Sequence, residues 1–577
     1  MFAKLYPLTV SRALLATLLV FFVLTVPWLG STPFSTRGEP REALVAQAMV
    51  STGEWVLPRG YSDDVPSKPP FMHWIIAGVS LIRGGVTEFT ARVPSAGAAL
   101  VFLGAFFLFI ARRFSVQRAV LTCLVLMFGI EWFRTSIICR VDMTLTALLA
   151  GALVALFRWS EQDLRGFPVT AALLLVGATL TKGPVSIVLP GAILGLFLLI
   201  EGRSFGRVLQ KALLLGIPVI AAASLWYLLA WNRGGDDFVA KVLYENVDRF
   251  SGTMEDKPHA HSAFYLYLTV LIGFLPWTLF IGPSLVNALI CRIRSGGLSL
   301  RALGEKFRAL SPFERYAILV IGAFLVFFSI PTSKRSVYLL PAYPFIAFFL
   351  ARFVEEGLAP VVWRRAARVT GVFIVALFGV VAAYHAGLFD LGLFIKKPNT
   401  LFDATYFATQ LGAVGAEPLG VVILGGVVLL GIVALIRPWR GREFTLLVAL
   451  LSGVYLAANG VIVPALQRPL SLQRYASDLA PQITAAQKIY SFGTEFYGVS
   501  FYLNREIYRA APGIEDGARV VVLDRHIKDL EVMLGAGRGV KTLSVSPYGV
   551  VKPRDRVALV EVIPQGQPLS EGSSVSK

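Results

Sequence analysis

About thirteen apolar runs divide most of this chain, at 9–29, 92–111, 118–133, 142–157, 167–181, 184–200, 212–231, 263–288, 315–331, 337–353, 368–386, 417–437 and 443–463. Each is roughly 16–22 residues, about long enough to cross a bilayer as a helix. Only 16 % of the residues are charged, against roughly a quarter in soluble domains. The expected fold is a polytopic α-helical membrane protein with about thirteen transmembrane helices, spanning residues 1–463. The first run lacks a small-x-small cleavage site before Pro27-Trp28, so it reads as a retained span.

The net charge of +18 could suggest nucleic acid. The basic residues, however, sit in short gaps between apolar runs, which points to topology and anionic head groups instead. With the N-terminus cytoplasmic, the inside loops carry Arg112-Arg113, Arg158 with Arg165, Arg203 with Lys211, and Arg364-Arg365 with Arg368. The stretch 291–315 adds six basic residues against Glu305 and Glu314. On this topology the opening loop 30–91, the segment 232–262 and the C-terminal part lie outside, periplasmic if the membrane is a Gram-negative inner membrane. Cys123, Cys139 and Cys291 show no disulfide or metal spacing. From 464 to 577 the pattern changes. Strand-like runs at 489–492, 519–523 and 557–562 alternate with a helical one at 527–534, which predicts a small external α/β domain. Its Ser- and Gly-rich end, from about 565, is expected to be disordered.

The opening loop from Thr36 to Trp74 is too polar for lipid. Arg37, Glu39, Arg41 and Glu42 begin it, and Asp63, Asp64 and Lys68 stand near its end. Between them, Ala43, Leu44, Ala46, Gln47 and Val50 have helical spacing and are expected to lie on the membrane interface, apolar face down. The short run 71–82 predicts a second surface helix. Pro69-Pro70 fixes the chain after Lys68 in an extended corner, a stiff mount for a cation.

Other charges recur at the outer ends of spans: Arg140 and Asp142, Lys182 before Gly-Pro, and Lys334-Arg335 with Tyr338 one turn on. Read singly, each has a structural account as a helix cap, an orienting salt bridge or a snorkelling side chain. Read together, Arg41, Lys68, Arg140, Lys182, Lys334 and Arg335 form one layer of positive charge at head-group depth, with Glu39 and Asp142 beside it. That is what a lipid-linked phosphate requires. The outer loop 244–267 brings Glu245, Asn246, Arg249, Glu255, Asp256, His259 and His261. Of these, Glu255, His259 and His261 are the candidates for a divalent metal, weighed against plain polar residues.

The motifs RGEPREALVAQAM, SKPPFMHW, RVDMTLT, LTKGPVSIVLP, ENVDRF and SKRSVYLLPAYP, in this order over about residues 10–350, carry a resemblance. The chain resembles GT-C glycosyltransferases that use polyprenyl-phosphate sugars, within them the lipid A aminoarabinose transferase and protein O-mannosyltransferase-like family. The resemblance implies two interfacial helices in the first loop and an active-site cavity on the periplasmic side. It implies an acid, Glu39 or Asp142, near the reacting sugar. It also implies lipid-phosphate contacts from Arg41, Lys68, Lys182, Lys334, Arg335 and Tyr338, to which the layer of positive charge adds Arg140. The implied partners are a polyprenyl-phosphate sugar, a lipid, glycan or protein acceptor and membrane lipids, with no nucleic acid. No cofactor is implied beyond that candidate metal. The chain departs from the family where Gly38-Glu39 replaces an Asp-Glu pair and Ser67 replaces a Glu. The competing classes are a flippase for a lipid-linked sugar, which predicts broken helices in inverted halves, and a glycan polymerase or ligase.

Overall fold

A computed structural model describes residues 9–564 except 60–64, 67, 249–260, 263, 295–299, 358–359, 415–416, 437–440, 485, 536, 547–548 and 551–554. The first half is α1 (Val10–Thr25), α2 (Gly38–Thr52), α3 (Phe71–Arg83), α4 (Glu88–Arg113), α5 (Val116–Met127), α6 (Ile130–Ser136), α7 (Val141–Glu161), α8 (Val169–Lys182), α9 (Val185–Ile200) and α10 (Phe205–Leu243).

Among the described residues nine helices are long and apolar enough to cross a membrane, and two bent pairs could each make a further span. The shorter α8 and α9, of 14 and 16 residues, account for the remaining runs. Two runs expected to be continuous are broken. α5 and α6 meet at 73°, and Phe264–Gly273 meets Trp277–Arg294 at 115°. Gly129 and Pro276 stand at the breaks, residues that interrupt the helical ladder. The breaks meet: the Ile130 N–H donates to the Leu275 carbonyl at 3.1 Å. Lipid supplies no partner for freed backbone groups, so one break satisfies the other.

Inside the bundle, aromatic rings lock α4 and α7 to the helix Pro312–Ser329. Phe313 lies 4.9 Å from Phe109 and 5.2 Å from Phe157 between ring centres. Outward, Leu15, Val101, Leu173 and Val422 are exposed, an apolar exterior suited to lipid tails.

The C-terminal part folds into a five-stranded sheet. Its strands are β1 (Ile489–Phe492), β2 (Tyr508–Arg509), β3 (Arg519–Leu523), β4 (Arg538–Val545) and β5 (Val557–Pro564), in the order β2-β1-β3-β5-β4. β1 pairs in parallel with β2 and β3, and β5 is antiparallel to β3 and β4. Alternation along β3 sends Val520 and Val522 toward the helix Ile527–Leu534, while Val521 faces the cluster shared with the first loop. The expected tail from 565 lies outside the described residues.

This sheet domain changes the expectation for α2. Ala43, Leu44, Ala46 and Met49 are buried, but in one cluster with α3 and the helices Leu472–Leu479 and Tyr497–Leu503, not face down on lipid. Gln47 donates to Asn504 at 2.9 Å on the same side. An apolar helix stripe goes to whichever apolar surface covers it, and here the C-terminal domain does.

Candidate functional site

α2 starts at Gly38-Glu39-Pro40, with a proline in its first turn and an acid where the helix dipole favours one. Glu39 points inward and is fully buried. It takes hydrogen bonds from Arg92 Nε at 2.8 Å and from the Cys139 N–H at 3.1 Å. Arg92 spends its other donors on the carbonyls of Leu29, Thr32 and Pro33. The structure thus places Glu39 in an internal ion pair that ties the loop to α4 and to the turn before α7.

One turn along α2, Glu42 is a second buried acid, and it gathers three partners. Arg41 Nη2 and His73 Nε2 lie 2.9 Å from its oxygens, and Lys68 Nζ is the third partner. Burial alone would raise the Glu42 pKa, yet Lys68, Arg41 and His73 hold it well below the usual carboxylate range. Lys68 is pulled down to about 8, by burial first, against the Glu42 charge and with Arg41 and Arg140 adding repulsion. The stiff Pro69-Pro70 corner therefore holds a lysine whose charge is finely balanced.

The third acid, Asp142, lies in the first turn of α7 and is buried. Lys182, the last residue of α8, donates to its Oδ1 at 2.7 Å, and Arg140 Nε stands 3.7 Å from Oδ2. The Arg335 guanidinium acts on the same carboxylate. Lys182 Nζ also sits over the Tyr338 ring, 5.1 Å from its centre. After Lys182 the chain turns at Gly183, with φ of 100°. A Cβ there would lie 2.9 Å from Asn246 Oδ1, so glycine is needed for both the turn and the approach.

Of these groups, Lys68, Lys182, Tyr338 and Asn246 open on a cavity of about 190 Å³. Lys68, Lys182, Tyr338, Glu245, Asn246 and Ser333 give it a polar part, while Leu145, Leu149, Leu189, Phe324, Phe327 and Phe328 make it apolar elsewhere. Five basic side chains (Arg41, Lys68, Arg140, Lys182 and Arg335) stand around Glu42, Asp142 and Glu245, so the cluster stays net positive. Such a place suits a molecule with an anionic head and a hydrocarbon chain.

Lys334 does not join the cluster. It is buried, and its Nζ donates to the carbonyls of Pro331 and, at 3.3 Å, His261. His261 stacks on Tyr265 at 3.9 Å. Glu255, Asp256, His259 and Arg249 lie outside the described residues, as do Asp63, Asp64 and Ser67. Among the described residues no group of three His, Cys, Asp or Glu side chains is placed to hold a metal ion. Sequence reasoning missed the joint role of Glu42 and His73 and the partner of Glu39. Arg92 was hidden at the edge of an apolar run, where a lone charge is itself a signal.

A profile of the family described as dolichyl-phosphate-mannose-protein mannosyltransferase matches residues 67–228. Among curated proteins, the chain is similar to an undecaprenyl phosphate-alpha-4-amino-4-deoxy-L-arabinose arabinosyl transferase of Shewanella sediminis, 26 % identical over 380 residues. That match takes in 65 % of this chain and 65 % of the relative, so under two thirds of the relative's length is spanned. The protein of the same name in Aeromonas hydrophila is 26 % identical over 445 residues, covering 74 % of this chain and 73 % of the relative. Among solved structures, ArnT from Cupriavidus metallidurans bound to undecaprenyl phosphate aligns with a TM-score of 0.68 at 21 % identity, covering 96 % of this chain and 97 % of that one. In fold and motifs together, the chain is similar to the GT-C membrane glycosyltransferases of the aminoarabinose transferase and protein mannosyltransferase type.

Proposed function

We propose that this protein moves a sugar from a polyprenyl-phosphate carrier, undecaprenyl phosphate in a bacterium, to an acceptor at the outer face of the inner membrane. The observation that carries the reading is the cavity with Lys68, Lys182 and Tyr338 in its polar part and leucines and phenylalanines elsewhere. The acceptor is lipid A, another glycolipid or a protein; the name of the curated relatives favours a small amino sugar as cargo. The basic inside loops support a cytoplasmic N-terminus and a periplasmic sheet domain.

The acceptor oxygen attacks the anomeric carbon, the carbon–oxygen bond to phosphate breaks, and the acceptor's proton goes to the Asp142 carboxylate. Polyprenyl phosphate leaves as a dianion, one charge more negative than in the donor. A single displacement of this kind inverts the anomeric centre. Lys68, Lys182, Arg140 and Arg335 stabilise the growing charge, with Arg41 acting beside them. Removing one such contact typically costs about 100-fold in rate. Asp142 orients Lys182 and Arg140, whereas Glu39 serves the loop's architecture.

The meeting of two broken helices keeps a flippase as the second reading. Neither break lines the cavity, which favours transfer. Membranes given radiolabelled undecaprenyl-phosphate sugars decide between them. Transfer releases unlabelled undecaprenyl phosphate and a labelled acceptor, and Lys182→Ala abolishes both. A labelled lipid that changes leaflet without being consumed would sink the transferase reading.

A further inference from the structure

The polar part of the cavity contains more than a phosphate needs. Cations are the complement of phosphate oxygens, yet Ser333, Glu245 and Asn246 also line the wall. The Ser333 side chain is only 7 % exposed, and its hydroxyl has no hydrogen-bond partner. A buried hydroxyl left unpaired is unfavourable, so its position on a cavity wall asks for a ligand. A second such hydroxyl is nearby. The Tyr227 oxygen is also buried and unpartnered, and lies 3.7 Å from where a Cβ on Gly183 would stand. Asn246 Oδ1 closes on the same point at 2.9 Å, while its Nδ2 is spent on the Val242 carbonyl.

Hydroxyls that can both donate and accept, an amide oxygen and a carboxylate recognise a ring bearing several hydroxyl or amino groups. Fixed cations alone do not distinguish such a ring from bare phosphate. We propose that Ser333, Glu245 and Asn246 form the subsite for the carbohydrate on the donor, and that this subsite sets which sugar is accepted. The lysines then read the phosphate common to all such lipids. This deepens the transfer reading above, but its test needs no turnover.

The test compares binding of three probes to the full-length protein in nanodiscs. They are undecaprenyl phosphate, undecaprenyl phosphate mannose and undecaprenyl phosphate-4-amino-4-deoxy-L-arabinose. The parent is expected to bind at least one sugar-bearing lipid more tightly than the bare one. Ser333→Ala should weaken that lipid about tenfold and Glu245→Gln about 10–100-fold, as expected for losing a neutral and a charged hydrogen-bond partner. Both variants should bind bare undecaprenyl phosphate within about twofold of the parent, which also reports that they are folded. Lys182→Ala should weaken all three probes alike. A parent that does not favour either sugar-bearing lipid overturns the subsite, as do variants that lose bare and sugar-bearing lipids equally. Selective binding without sugar transfer in membranes would instead leave the subsite standing and remove the transferase reading.

Discussion

The guanidinium of Arg140 occupies the space in which a side chain on Gly38 would begin. A Cβ added there would lie 2.9 Å from Arg140 Cζ and closer still to Nη1. Only glycine at this position leaves that space to the arginine from the turn before α7.

Gly38→Ala is therefore expected to separate stability from binding. Glycine to alanine within a helix usually gains about 0.5–1 kcal/mol, and the far end of an arginine can move aside cheaply. The melting temperature in detergent should stay level or rise slightly. The displaced Arg140 should weaken undecaprenyl phosphate binding about tenfold, a loss comparable to one charged hydrogen bond. Unchanged binding would mean that Arg140 serves only Asp142.

Lys68 gives a pH signature with two opposite signs. Its folded pKa is about 8, against about 10.4 in an unfolded chain. Between these values the unfolded state holds a proton that the folded state has lost, so stability rises with pH through that window. Phosphate binding needs the charged lysine, so affinity in the unliganded protein should fall above about pH 8 while the melting temperature climbs. Lys68→Arg keeps its charge throughout and should remove the basic limb from a binding titration.

The two buried acids of α2 answer differently to loss of charge. Glu39→Gln leaves Arg92 buried without its counter-charge, which typically costs about 3–5 kcal/mol. It should lower the melting temperature and leave the binding pH profile in place. Glu42→Gln also destabilises, but it removes the charge that raises the Lys68 pKa. The basic limb of lipid binding should then move below pH 8. A profile shifted by Glu39→Gln and not by Glu42→Gln would reverse the two roles.

How much of this could be read from the sequence depends on distance along the chain. Each apolar run became helix because length and composition are local properties, and Lys68 was legible through the prolines beside it. The pairing of Glu42 with His73 was not, because it depends on how two helices joined by a loop are rotated against each other. Lys334 and Arg335 look equivalent in sequence. The chain is extended at Arg335, so successive side chains point apart, sending Lys334 onto the Pro331 carbonyl and leaving Arg335 to act on Asp142. The breaks at Gly129 and Pro276 were hidden because hydropathy does not register backbone geometry.

The sheet domain bears on the site through Tyr502 and the residues around it. The Tyr502 hydroxyl accepts the Phe34 N–H at 2.9 Å and donates to Glu88 at 2.8 Å. Phe34 stacks edge-on against Phe501 at 5.0 Å, and Arg37 pairs with Glu495. These contacts hold the segment entering α2, whose next turns carry Glu39, Arg41 and Glu42. Tyr502→Phe removes both hydrogen bonds and leaves the ring, so the expected loss is about 1–3 kcal/mol, with the Phe34 N–H and the Glu88 carboxylate left short of a partner. If docking of the domain positions α2, the variant should bind undecaprenyl phosphate several-fold more weakly and be cut sooner by protease in the segment 480–488. If the domain only shields the loop, cleavage should quicken while lipid binding stays at the parent value.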